Sequence, residues 1–162
     1  MDRRQFKKRV VVRSPIDVVY RAFATSRGLE SWFLRKAEFT SRSGKIRRAE
    51  EGIENGDVYE WFWHGWPDEV AERKKILETN GKDIIRFTFS GDSVVSVSIK
   101  QYKAVTVVEL VQQIPEGNDP DLELRIGCDT GWTFYLTNLK SVLEGGLDLR
   151  NKDVLQKDVV NA

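Results

Sequence analysis

The chain has 162 residues, 40% of them apolar and 31% charged, the composition of one soluble globular domain. Lysines and arginines number 26 against 25 aspartates and glutamates, and a net charge of +1 argues against a general nucleic-acid binder. One cysteine excludes an internal disulfide and a cysteine-based zinc site, and one histidine, His64, excludes a multi-histidine metal centre.

The start, Met1 to Arg9, is basic, and no signal-peptide core follows it. No apolar run approaches the roughly 20 residues that span a bilayer. The expectation is a cytoplasmic, reducing location without stable membrane insertion. Val10-Val11-Val12 ends a first strand. Ser14-Pro15 reads as an N-cap and first helical position, opening a helix to about Ala24 with Ile16, Val19, Tyr20 and Phe23 on one side. Ser26 is placed to cap a second short helix carrying Leu29, Trp32 and Phe33. Residues 41–56 are polar and basic and read as a loop with one ragged strand.

After Gly56 the period becomes two. Val58 to His64 puts Tyr59, Trp61 and Trp63 on one face of a strand. Gly65-Trp66-Pro67-Asp68 is turn chemistry, and Val70 to Glu78 is a charged strand. Asn80-Gly81 is a hairpin turn, followed by a strand with Ile85, Phe87 and Phe89 on one face. Gly91-Asp92 turns again into strands over 94–102 and 105–114, completing an antiparallel meander. Asp119-Pro120 reads as the N-cap of a long helix running to about Glu144. Cys128, Trp132, Tyr135, Leu136, Leu139, Val142 and Leu143 form its apolar stripe, and Gly145-Gly146 its C-cap. Gly127 and Gly131 in this helix suggest close approach to the sheet, a kink, or a later helix start. Residues 1–149 read as one domain and 150–162 as a polar, frayed tail.

A curved antiparallel sheet and a long apolar-striped helix each have one face to bury, and laying the helix in the sheet's trough buries both. The fold class is therefore α+β, with space for a ligand where curved sheet meets straight rod. This order resembles the helix-grip, or START-like, fold of the SRPBCC superfamily. More narrowly it is similar to the family of the activator of heat-shock protein 90 ATPase. The resemblance spans roughly residues 5–146. It rests on Ser14-Pro15, Gly28-Leu29-Glu30-Ser31-Trp32-Phe33, Gly56-Asp57, and the last helix with Gly131-Trp132, Asn138-Leu139-Lys140 and Leu143-Glu144-Gly145. It implies a cavity under the last helix of the kind that holds lipids, hormones or polyketide-like molecules. It also implies a possible chaperone partner, although the eukaryotic activators use a separate N-terminal domain as well.

The leading expectation is non-enzymatic binding of a small hydrophobic or amphipathic, lipid-like or aromatic molecule, with no cofactor, metal or nucleic acid. The candidate lining is Trp32, Phe33, Tyr59, Trp61, Trp63, Phe87, Phe89, Glu109, Trp132, Tyr135, Leu136 and Leu139. Each aromatic among them serves equally well as plain core. Glu109, a carboxylate among valines, either faces the pocket or pairs with a cation on a neighbouring strand. The alternative is a co-chaperone module acting in stress response on a heat-shock protein 90 type ATPase. An enzyme of cyclase or hydratase type has only Glu109, Arg86, His64 and Tyr135 to offer, and no motif joins them.

Overall fold

Strict two-residue alternation in the last three strands sends one side of each into the interior. The inward residues are Ile85, Phe87 and Phe89, then Val95, Val97 and Ile99, then Thr106, Val108, Leu110 and Gln112. The computed structural model describes residues 4–114 and 122–161. Its elements are β1 (Gln5–Val12), α1 (Ile16–Ala24), α2 (Ser26–Trp32), β2 (Lys36–Thr40), β3 (Val58–Phe62), β4 (Glu72–Thr79), β5 (Ile84–Phe89), β6 (Ser93–Tyr102), β7 (Val105–Gln113) and α3 (Leu122–Leu143). The strands form one antiparallel sheet in the order β1-β7-β6-β5-β4-β3-β2. Register aligns Phe6, Gln112, Val95, Phe87 and Ile76 in a row across five strands. This is the helix-grip architecture: the sheet curves, and α3 lays Trp132, Tyr135, Leu136 and Leu139 against its inner face.

Both sheet edges are blocked, which removes the hazard of open strand pairing. Along β1, Lys140 Nζ donates to the Val11 carbonyl at 3.0 Å, Arg125 Nη2 donates to the Gln5 carbonyl at 3.3 Å, and Lys8 pairs with Asp129 at 2.7 Å. Along β2, the Ala37 N–H donates to Glu30 Oε1 and the Arg47 N–H donates to the Phe39 carbonyl, both at 2.9 Å.

The local caps differ from the sequence expectation. Pro15, not Ser14, is the N-cap of α1, and no side chain caps it; the Ser14 carbonyl instead accepts from Thr106 Oγ1 at 2.6 Å. Thr25, not Ser26, caps α2, its Oγ1 accepting from the Gly28 N–H at 2.9 Å. Gly28 itself is obligatory for packing: a Cβ there would lie 2.1 Å from the Arg21 carbonyl oxygen and 2.8 Å from Ala22 Cα. The short strand β2 has no counterpart in the sequence reading, and the ragged strand in 41–56 reduces to one bridge, Thr40 to Ile46. The expected cap at Asp119-Pro120 lies outside the described residues. At the other end of α3 the Gly146 N–H donates to the Ser141 carbonyl at 2.7 Å and the Gly145 N–H to Val142 at 3.3 Å. With Gly145 at φ 78°, this is a Schellman motif.

The tail is not frayed at its root. Arg150 is buried, donating to the Leu34 and Glu30 carbonyls at 2.9 Å and to Asp148 at 2.8 Å. Buried Asn138 donates to the Trp32 carbonyl at 2.8 Å and accepts from the Leu149 N–H at 2.7 Å. Farther on, the Asn151 N–H donates to the Asn161 carbonyl at 2.6 Å, and Asn161 Nδ2 to the Leu149 carbonyl at 2.7 Å, closing residues 151–161 into a loop.

Candidate functional site: a groove at the mouth of the grip

Phe33, delivered by the end of α2, enters the space between sheet and α3. Its ring centroid lies 5.2 Å from Trp32, 5.6 Å from Trp61, 5.0 Å from Trp132 and 4.9 Å from Tyr135. Trp61 stacks on Tyr59 at 3.9 Å and meets Phe87 edge-on at 5.2 Å. What remains among these rings is about 10 Å³, no more than one water fills. The expected hollow under the helix is therefore filled at its centre. Trp32, Tyr59, Trp61, Phe87, Leu136 and Leu139 are core residues holding this plug together.

Open space lies instead at the mouth. A groove of about 730 Å³ runs between the N-terminal half of α3 and the segment from Trp63 to Glu72. Phe33, Trp63, Phe89, Trp132 and Tyr135 of the expected set line it, joined by Trp66, Val70, Gly127, Cys128, Gly131 and, from the tail, Val159 and Val160. Glu109 is elsewhere. It lies on the outer face of β7, 3.6 Å from Lys7 and 3.5 Å from Arg9, so the strand-pair alternative is the one realised. Both alternating sets of β7 are largely aliphatic, and Thr106, Val108, Leu110 and Gln112 are the set that turns inward.

A hydrogen-bonded chain fixes the groove floor. Trp132 Nε1 donates to Gln112 Oε1 at 2.8 Å, Gln112 Nε2 donates to Ser93 Oγ at 2.9 Å, and Ser93 Oγ donates to the Ser90 carbonyl at 2.8 Å. Trp61 Nε1, by contrast, is buried without a partner among the described residues. Neither glycine of α3 makes a close approach, since a Cβ at Gly127 or Gly131 would meet nothing within 4 Å. They open the groove rather than seat the helix.

Sequence reading passed over Glu72. Its register opposite Trp61, and its spacing of four from buried Ile76, place it on the inner side of β4. Ser90 Oγ donates to its carboxylate at 2.8 Å. Burial pushes the Tyr135 hydroxyl up to about 12 against an opposing pull from Arg150, so it remains a neutral O–H near pH 7. Burial also raises the Cys128 thiol, with the Glu72 charge adding to it. His64 lies outside the groove lining, and burial, reinforced by Arg150, Lys152 and Arg35, lowers its pKa. Among the described residues no group of His, Cys, Asp and Glu side chains is placed to hold a metal ion, and no helix is long and apolar enough to cross a membrane.

The fold recurs in solved structures of low sequence identity. A protein from Staphylococcus saprophyticus is 20% identical, with a TM-score of 0.68 over 90% of this chain and 96% of that one. The Aha1 dimer from Colwellia psychrerythraea is 17% identical, with a TM-score of 0.66 over 88% and 97%. A protein from Nitrosomonas europaea is 12% identical, with a TM-score of 0.68 over 89% and 97%. No curated protein matches the chain. A family model described as activator of Hsp90 ATPase homolog 1-like protein matches residues 13–144, which takes in every element from α1 to α3. That model spans most of the chain and the architecture is the helix grip, so the chain belongs to the activator of Hsp90 ATPase homolog 1-like family.

Proposed function

We propose that this protein reversibly binds a small apolar or amphipathic molecule in the groove between α3 and the Trp63–Glu72 segment. One observation carries the reading: a fold whose interior is filled keeps an aromatic-walled opening of about 730 Å³ at its mouth. That volume is typical of small-molecule sites. A guest burying about 200 Å² of apolar surface gains about 5 kcal/mol before the cost of association. Titration with a panel of neutral aromatic and aliphatic compounds, followed by the indole N–H resonances, tests it. Trp63, Trp66 and Trp132 should shift, and buried Trp32 should not. A panel that moves none of the groove indoles would overturn the reading.

A second reading is contact with an Hsp90-type chaperone, suggested by the family match and by exposed Trp66, Val70, Leu122 and Ile126. Co-purification with such a chaperone, lost on Trp66→Ala, supports it. Absence of both binding and ATPase stimulation at high protein concentration rejects it.

A further inference from the structure

Resting on the groove reading, we propose that the occupant is a small aromatic cation, an aryl-alkyl amine, and that Glu72 selects it. Among the described residues the groove lining carries two acidic residues, Glu72 and Glu123, and no lysine, arginine or histidine. Glu72 is half-buried on the inner face of β4, where a charge is costly without an opposite partner. Neighbouring carboxylates each have one: Glu60 has Arg73, Glu78 has Arg86 at 3.2 Å, and Asp92 has Lys74 at 2.5 Å. Among the described residues Glu72 has no lysine or arginine within ion-pair distance and is met by the Ser90 hydroxyl. The neighbouring Lys74, two residues along the strand, is committed to Asp92.

The rest of the groove suits the same guest. Trp63, Trp66, Phe89 and Trp132 supply π-systems that attract a cation as well as an aryl ring. A fatty acid would bring its carboxylate beside Glu72 and be repelled. An ammonium would complete the ion pair that Glu72 lacks and place its ring among the indoles.

Three naphthalenes of one shape test this: 2-(aminomethyl)naphthalene, 2-naphthalenemethanol and 2-naphthoate. Binding is read by tryptophan fluorescence and by protection of Cys128, which lines the groove, from alkylation. The amine should bind about tenfold tighter than the alcohol, with the naphthoate weakest, and added salt should shrink the amine's advantage. Glu72→Gln should remove about tenfold from the amine and leave the alcohol unchanged. Equal binding of amine and alcohol, a naphthoate as tight as the amine, or an E72Q loss shared by amine and alcohol overturns charge selection while the groove stands. Binding by none of the three removes the groove reading and this proposal together. Should E72Q fail to fold, the ranking of the three compounds on the native protein decides.

Discussion

Replacing Gly127 and Gly131 by alanine sets helix stability against groove volume at the same two positions. Both lie inside α3, and a Cβ at either would meet nothing within 4 Å. Glycine inside a helix costs about 1 kcal/mol relative to alanine, and with no clash to offset the gain each substitution should stabilise the fold by nearly that amount. An unfolding entropy of about 2.1 cal/mol/K per residue gives about 0.3 kcal/mol/K for 162 residues, or about 3 °C per substitution. The double variant should melt about 6 °C higher by calorimetry. The same methyl groups project into the groove, so affinity for a bound naphthalene should fall several-fold, most for Gly131→Ala, the less exposed site. A drop in melting temperature would show that α3 needs its glycines for a bend. Stabilisation without loss of binding would place the ligand elsewhere.

Trp132→Phe strands Gln112 Oε1 in the interior, whereas Trp61→Phe deletes an N–H that has no partner among the described residues. Urea denaturation should find W132F less stable than W61F by about 1–3 kcal/mol; the reverse order would refute the hydrogen-bond assignment. Arg150→Ala leaves the Leu34 and Glu30 carbonyls unpaired in the interior and should cost about 2–3 kcal/mol. It should also make residues 151–161 the first site of limited proteolysis, and protease resistance equal to the native chain would count against the anchor. Burial works against the Asp148 carboxylate, but hydrogen bonds from Arg150, Lys152 and Asn138 outweigh it and hold its pKa well below the usual carboxylate range. A depressed folded pKa gives stability that is present above the unfolded value of about 3.9 and lost as pH falls below it. Stability measured from pH 5 to pH 2 should therefore decline more steeply in the native chain than in Asp148→Asn, and parallel curves would refute the linkage.

The period of the sequence was enough to find α3, the meander and the face of each Trp-rich strand, because alternation and helical spacing are local properties. Depth is not local. Tyr59, Trp61 and Trp63 share one face, yet Trp61 is sealed beneath Phe33 while Trp63, one residue past the end of β3, reaches the groove. Glu109 was ambiguous because either phase of β7 looks like a core, and cross-strand Lys7 and Arg9 settle its side. Glu72 was hidden in a strand that reads only as charged, although counting in twos from Ile76 would have turned it inward. Arg150 carries no local sign of burial. Its partners, the Leu34 and Glu30 carbonyls, are more than 110 residues away, and only the closed fold brings them together.

Side-chain size along one helix decides where the grip is open. The stretch of α3 facing the groove carries Gly127, Cys128 and Gly131, and small side chains cannot reach across to the sheet. One turn later the same side carries Trp132, Tyr135, Leu136 and Leu139, which fill the trough together with Phe33. The second half also bears Asn138, whose hydrogen bonds tie α2 and the chain after α3 to the helix. Rigidity is thus concentrated at the C-terminal half of α3 and space at the N-terminal half. Trp132 stands at the boundary, its ring facing the groove and its N–H held by Gln112 from the core. A guest at the mouth, as proposed, would meet a wall whose position is already fixed, which would lower the ordering cost of binding.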